Sequence, residues 1–112
     1  MPDAPADVGV CDAAVTLAFS VLGKRWNGMI LATLGSGVSS FVGLRKAVAG
    51  ISDAVLSDRL AELAAARLVV RTVDPGPPVT VSYELTPAGK RVLPVLDQLG
   101  EWARDNLVAP AP

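Results

Sequence analysis

A segment rich in proline and glycine, Asp-Pro-Gly-Pro-Pro at residues 74–78, constrains the fold of this 112-residue chain more than any other feature. Proline lacks a backbone N–H group and fixes its φ angle, so this segment can neither continue a helix nor pair inside a sheet. Short β-branched stretches lie on either side, at residues 68–73 (LVVRTV) and 79–85 (VTVSYEL). Two strand-like stretches around a turn-forming tip predict a β-hairpin.

Helical spacing of apolar residues predicts four helices before the hairpin and one after it. Ser52 is a suitable N-cap for the fourth helix, in which leucines at every third or fourth position form an apolar stripe. Thr86 followed by Pro87 predicts the start of the last helix. Pro94 predicts a kink or a late start within it. The predicted helices cover residues 12–22, 25–34, 41–48, 52–66 and 87–106.

The third and fourth predicted helices are joined by a short turn that contains Gly50, as in a helix-turn-helix pair. A hairpin directly after such a pair is the wing of a winged helix. The sequence therefore predicts a mainly α (α+β) fold: a winged helix-turn-helix with a two-stranded β-hairpin wing and a C-terminal dimerisation helix. We expect a flexible N-terminal arm at residues 1–10, the winged helix-turn-helix domain with its dimerisation helices at residues 11–107, and a tail at residues 108–112.

The absence of histidine and the single cysteine exclude several classes of function. Without histidine there is no Ser-His or Cys-His nucleophile pair, no His general base and no His-ligated metal site. One cysteine forms neither an intrachain disulfide nor a cysteine cluster for zinc or iron–sulfur. We therefore expect a protein that is not an enzyme and uses no metal and no cofactor. Because we find neither a signal-peptide pattern nor an apolar stretch of ~20 residues, we expect it in the cytoplasm without a membrane partner.

Charge is unevenly distributed along the chain, although the formal net charge is only −1. Residues 24–71 contain seven basic and three acidic residues, a net charge of +4, and the flanking residues have a net charge of −5. A positive middle segment between acidic ends favours a local surface that faces a polyanion. Chance scatter of surface charge is the alternative from this feature alone.

Several short motifs follow one another in order from Cys11 to Trp102. Together they resemble the HxlR-type (MarR-like) winged-helix transcriptional regulators of bacteria. The resemblance implies a homodimer that binds an inverted repeat in promoter DNA, with the terminal helices at the dimer interface. We expect such a dimer to act as a repressor by covering the promoter. The motifs are V-L-G-K-R-W at residues 21–26, S-F-x-x-L-R at 40–45, G-I-S-x-x-V-L-S-x-R-L-x-E-L at 50–63, L-V-x-R-T-V at 68–73, Pro-Pro at 77–78 and Y-x-L-T-x-x-G at 83–89.

The chain departs from the family pattern at several positions that bear on DNA affinity or sequence preference. Ser40 stands where members usually have Arg, Asp58 where they tend to have Gln, and Ala61 where they tend to have Arg or Lys. The wing tip continues with Val79 and Thr80 and has no basic residue there. An alternative function is therefore a winged-helix dimer that binds DNA weakly and acts as a protein-interaction or ligand-sensing module. An enzyme that binds a small molecule is a third alternative, which the absence of histidine disfavours.

The second helix of a helix-turn-helix lies in the major groove, where its outer N-terminal face meets base edges. In this chain that face has serines that can hydrogen-bond bases or phosphates, aspartates that can accept from cytosine, and an alanine that can contact a thymine methyl group. Nearby basic residues are expected to contact phosphates of double-stranded DNA. A solvated helix face, with Arg59 paired to Asp58 or Glu62, is the alternative. The candidate DNA-binding residues are Lys24, Arg45, Ser52, Asp53, Ala54, Ser57, Asp58, Arg59, Arg71 and Thr80.

Cys11 is expected at the start of the first helix, where the helix dipole favours the thiolate form. Some members of the family sense oxidants or electrophiles through an N-terminal cysteine, so Cys11 is a candidate for redox sensing; a small buried apolar residue is the alternative. DNA release would follow thiol modification or the binding of a small-molecule effector. Apolar residues of the first and last helices are expected to pair across a two-fold axis. The candidate dimer-interface residues are Val15, Phe19, Val95, Leu99 and Trp102.

Overall fold

The computed structural model describes the backbone of residues 3–108 and the side chains of residues 13–108. Within these ranges, five helices and one two-stranded antiparallel sheet follow one another in the predicted order. This order confirms the winged helix-turn-helix fold class. The elements are α1 (Asp3–Leu22), α2 (Asn27–Gly35), α3 (Phe41–Ala47), α4 (Asp53–Ala65), β1 (Val69–Asp74), β2 (Thr80–Leu85) and α5 (Pro87–Asn106).

The first two helices begin at other residues than the sequence predicts. α1 begins at Asp3 instead of residue 12, so residues 3–10 of the predicted arm are helical. Pro5 lies in the first turn of α1, where a missing N–H group breaks no intrahelical hydrogen bond. α2 begins only after Trp26, because the φ angle of Trp26 is 82°, in the left-handed region. Residues 1–2 of the predicted arm and 109–112 of the predicted tail lie outside the described residues.

Hydroxyl groups close the first turns of α4 and α5 as predicted. Ser52 Oγ accepts a hydrogen bond from the N–H group of Val55 at 3.2 Å, and Thr86 Oγ1 accepts one from Gly89 at 3.0 Å. α5 is continuous through Pro94, so the predicted late start at this residue is wrong. Because Thr86 already fixes the first turn, the single hydrogen bond that Pro94 removes does not shift the start.

The hairpin pairs β1 with β2 in a regular antiparallel register, from Val69 opposite Leu85 to Asp74 opposite Thr80. At the tip, Asp74 Oδ1 accepts a hydrogen bond from the N–H group of Gly76 at 3.0 Å. Gly76 has a φ angle of 75°, which glycine adopts without steric conflict. The tip therefore has the turn chemistry that residues 74–78 predict.

The core lies where α2, α3, α4 and the hairpin meet. Its largest fully buried side chains include Leu56 and Leu63, from the leucine stripe predicted for α4. The N–H group of Tyr83 in β2 donates to the carbonyl oxygen of Ser39 at 2.8 Å, so the residues before α3 lie along β2. This contact fixes the hairpin against the helix-turn-helix pair. The buried apolar residues are Ile30, Leu31, Leu34, Leu44, Val48, Ile51, Leu56, Leu60, Leu63, Val69 and Tyr83.

The two terminal helices make the single chain elongated. Its radius of gyration is 16.8 Å and its principal extents are 65 × 34 × 23 Å. A compact domain of this length has a radius of gyration of about 13 Å. α1 and α5 are 20 residues each, which corresponds to a length of about 30 Å per helix. From residue 13 onward, many side chains of these two helices are exposed in the single chain.

Candidate nucleic-acid interface

The outer face of α4 is polar, small and exposed from its N-cap onward. We call this face the reader face. It consists of five exposed residues, Ser52, Asp53, Ala54, Ser57 and Asp58. The leucines on the opposite face of α4 are buried in the core. The side chains that the sequence selects for base contacts are therefore all accessible to solvent. Their role in DNA binding stays a prediction.

Arg45 on α3 lies beside the start of α4. Its Nη1 atom is 3.2 Å from Asp53 Oδ1, in an ion pair between two exposed side chains. α3 and α4 are the two helices of the predicted helix-turn-helix pair, and this contact joins their solvent-facing sides. Arg45 is thus placed beside the predicted reader face, with its charge opposed by an acid of that face.

Lys24, in the turn between α1 and α2, reaches the other end of α4 and pairs with Glu62. The buried side chain of Asn27 extends this contact, since its Nδ2 atom donates to Val21 O at 2.8 Å and to Glu62 Oε1 at 3.1 Å. The hydrogen bonds from Lys24 and then from Asn27 lower the pKa of Glu62 below its ordinary value. The sequence predicts Glu62 only as a partner of Arg59 and assigns no role to Asn27. The signal for Asn27 in the sequence is a polar amide at the start of the mainly apolar helix α2.

Arg59 is the least exposed of these cations, with 21% of its side chain accessible. Its Nη2 atom is 2.8 Å from Asp58 Oδ2, and its Nη1 atom is 3.2 Å from Glu62 Oε1. Both pairings are those that the sequence offered as the alternative to phosphate contact. In this structure Arg59 therefore extends along α4 between two carboxylates.

Arg71 and Thr80 lie on the hairpin at different distances from α4. Arg71 in β1 lines a cavity of about 120 Å³ between α4 and the hairpin, together with Ser57 and Ala61 of α4. Arg71 is exposed and forms no ion pair within the described part of the chain. Thr80 is exposed at the start of β2, opposite Asp74 and three register positions further toward the tip. Of the two, only Arg71 adjoins the reader face.

The predicted dimer-interface residues are exposed in the single chain, which is unusual for large apolar side chains in such number. Val95, Leu99 and Trp102 follow at intervals of four and three residues along α5, so they share one face. Val15 and Phe19 share a face of α1 in the same way. Their exposed fractions are 54% for Val15, 52% for Phe19, 52% for Val95, 42% for Leu99 and 54% for Trp102.

Cys11 lies in the interior of α1, not at its start. The field of a helix dipole acts mainly within the first turn, so the earlier start of α1 removes the dipole argument for a lowered thiol pKa. The side chain of Cys11 lies outside the described residues. Its proposed redox role therefore has to be tested chemically.

Two other kinds of site are not found in the described part of the chain. Over residues 3–108, no helix is both long enough and apolar enough to span a bilayer. Among the side chains of residues 13–108, no three from His, Cys, Asp or Glu are grouped so that they could hold a metal ion.

Comparison with known proteins identifies the family. The sequence model of the HxlR-like helix-turn-helix family matches residues 21–110. The HTH-type transcriptional regulator YodB of Bacillus subtilis (strain 168) is 41% identical over 86 residues, which cover 77% of this chain and 77% of YodB. The resemblance seen in the sequence motifs is thus confirmed.

Solved structures of two regulators share the fold of this chain. The reduced form of YodB from B. subtilis superposes with a TM-score of 0.75 at 38% identity, covering 87% of this chain and 94% of YodB. The redox regulator HypR in its oxidised form superposes with a TM-score of 0.77 at 29% identity, covering 86% of this chain and 99% of HypR. This chain belongs to the HxlR-like helix-turn-helix family of DNA-binding transcriptional regulators.

Proposed function

We propose that the chain forms a homodimer that binds an inverted-repeat promoter site and represses transcription by covering the promoter. One observation supports this more than any other: a single chain exposes both a polar reader face on α4 and aligned apolar faces on α1 and α5. The first face fits a duplex groove, and the second needs a partner to cover it. A two-fold pair of chains meets both requirements.

On DNA, α4 lies in the major groove with its N-terminal half toward the base edges. Ser52 and Ser57 donate to or accept from bases and phosphates, and Ala54 contacts a thymine methyl group. Asp53 and Asp58 accept hydrogen bonds from the N4 amino group of cytosine. Each aspartate that accepts such a bond separates from its arginine, which then contacts a neighbouring phosphate.

Phosphate contacts set the register of each subunit on the duplex. Arg71 adjoins α4 and has no acidic partner within residues 13–108, so it contacts a phosphate directly. Lys24, Arg45 and Arg59 exchange a carboxylate for a phosphate. Thr80 contributes a hydroxyl contact nearer the wing tip.

Pairing of α1 and α5 with their copies across a two-fold axis covers the candidate interface residues. The two α4 helices then face the same side of the dimer, about one turn of DNA or ~34 Å apart. The two-fold axis requires an inverted repeat in the operator, and the separation of the α4 helices sets the spacing of its half-sites. The weakly DNA-binding interaction module is the second candidate, favoured by the ion pairs that occupy Lys24, Arg45 and Arg59.

Arg71 provides the test of DNA contact, and Arg104 on α5 provides a matched control. We expect Arg71→Ala to flatten the log–log salt dependence of binding by ~0.9 on a duplex selected from random-sequence DNA, because one phosphate contact is lost. Arg104→Ala should leave the slope unchanged. Equal slopes for the Arg71 variant and wild type would contradict the phosphate contact. Negligible wild-type affinity for every duplex would favour the interaction module.

The related solved structures include a diamide-treated YodB and a redox regulator, HypR. By extension we infer that Cys11, the single cysteine of this chain, makes DNA binding sensitive to oxidation. Two Cys11 thiols, one from each subunit, form a disulfide while a diazene oxidant such as diamide takes up two electrons and two protons. We expect diamide to release wild-type protein from DNA and to leave Cys11→Ser bound. Equal release of both proteins would rule out a role for Cys11, and a small-molecule effector would then be the remaining alternative.

A further inference from the structure

We define the reader surface as α4 together with Lys24, Arg45 and Arg71. The acidic residues of α4 form ion pairs with most of the basic residues of this surface. We propose that Asp53, Asp58 and Glu62 are specificity-determining residues: they hold the nearby basic side chains in ion pairs, so that duplexes without matching bases bind weakly. This inference rests on the proposed function, because it concerns how the same surface distinguishes one DNA sequence from another.

The ion pairs are the first evidence for this role. All four ion pairs among the described residues involve an acid of α4, and each of their basic partners is a candidate phosphate contact. Asp53 pairs with Arg45 and Asp58 pairs with Arg59. Glu62 pairs with both Lys24 and Arg59. On this surface Arg71 alone, within residues 13–108, has no acidic partner.

The positions of the carboxylates are the second line of evidence. The side chains of Asp53 and Asp58 are 62% and 68% exposed, on the face of α4 that is expected to enter the groove. An approaching phosphate therefore meets a carboxylate beside each arginine. The carboxylate repels the phosphate, because both carry negative charge. The contact between phosphate and arginine also replaces an existing ion pair, so it adds little to the free energy of binding.

This arrangement affects non-specific and specific binding differently. Non-specific binding depends almost wholly on cations that neutralise phosphates and release counterions, and the acids of α4 reduce that contribution. At a matching site, Asp53 and Asp58 also accept hydrogen bonds from cytosine, which random sequence offers only by chance. The carboxylates therefore weaken binding to random DNA more than binding to the operator, and the ratio of the two affinities rises.

Asp53→Asn removes a charge without changing the size of the side chain, and it frees Arg45 from the only ion pair that Arg45 forms within residues 13–108. We expect affinity for a random-sequence duplex to rise about three- to tenfold and the salt slope to steepen by ~0.9, since one cation becomes available to phosphate. Affinity for the selected duplex should rise less or fall. Asp58→Asn should act in the same direction with a smaller effect, because Arg59 keeps its pair with Glu62.

Asp97→Asn is the matched control, since Asp97 lies on α5 and forms no ion pair within the described residues. Thermal unfolding of each variant shows whether the helix that carries it remains folded. The inference is overturned if the Asp53 and Asp58 variants bind random DNA with the wild-type affinity and slope while wild type still prefers the selected duplex. If wild type binds no duplex, the proposed function itself fails and this inference fails with it.

Discussion

The exposed indole of Trp102 gives the sharpest prediction about dimer formation. In the single chain 54% of this residue is accessible to solvent. An aromatic side chain buries roughly 200 Å² when fully covered, so about 110 Å² remains to be covered at an interface. At ~25 cal/mol per Å² this corresponds to about 2.7 kcal/mol per subunit, and a two-fold interface contains the residue twice.

Trp102→Ala should therefore weaken the homodimer by about 5 kcal/mol, which raises its dissociation constant roughly a thousandfold or more. Sedimentation velocity over a wide range of protein concentrations measures this constant directly. Val79→Ala is a suitable control, because Val79 is 67% exposed but lies near the wing tip, away from both terminal helices. The control should dimerise like wild type. A Trp102 variant that also dimerises like wild type would refute this interface.

Two further predictions concern stability. In a thermal unfolding assay, Gly89→Ala should destabilise the fold by ~1–3 kcal/mol, because a Cβ atom there would lie 2.2 Å from the carbonyl oxygen of Leu68. Gly100→Ala should stabilise α5 by ~0.5–1 kcal/mol, because a Cβ atom there would meet only the end of a flexible side chain, at 3.5 Å. Equal melting temperatures for the two variants would contradict this packing. The lowered pKa of Glu62 means that its carboxylate stabilises the folded state above the ordinary value of 4.5, and that this contribution is lost as the pH falls through the lower folded-state value. Melting temperatures of wild type and Glu62→Gln should therefore differ by a constant amount from pH 7 to 5, and the difference should shrink as the pH falls below 4.5. A difference that stays constant below pH 4.5 would show that this carboxylate is not responsible.

Local signals made most of the fold predictable. Residues 75–78 form neither helix nor paired strand, so one short segment determines where the hairpin turns. Asp74, the first residue of the predicted tip, instead pairs with Thr80 as the last residue of β1, because Asp74 is not a proline and keeps its backbone N–H group. Ser52 and Thr86 close helix starts through hydrogen bonds to residues three positions away, within the reach of sequence reasoning. The start of α2 was not predictable in this way, because nothing in the local sequence requires the left-handed backbone conformation of Trp26. That conformation reflects how the turn packs in the folded chain.

The exposure of the reader face was predictable for a similar reason. The contacts of Glu62 with Lys24 and Asn27 were not predictable in this way. Helical periodicity places Ser57 and Asp58 opposite the leucine stripe, and both are exposed. The contacts of Glu62 with Lys24 and Asn27 join residues 38 and 35 positions apart. Such contacts depend on how α4 packs against the turn before α2. Periodicity along one helix contains no information about that packing.

The most direct test of the central claim is a hydroxyl-radical footprint on a duplex selected from random-sequence DNA by this protein. We expect two protected patches on one side of the duplex, about one helical turn apart and related by an inverted repeat, because two α4 helices bind successive major grooves. Protection of a single patch, or of two patches in direct repeat, would contradict the two-fold dimer.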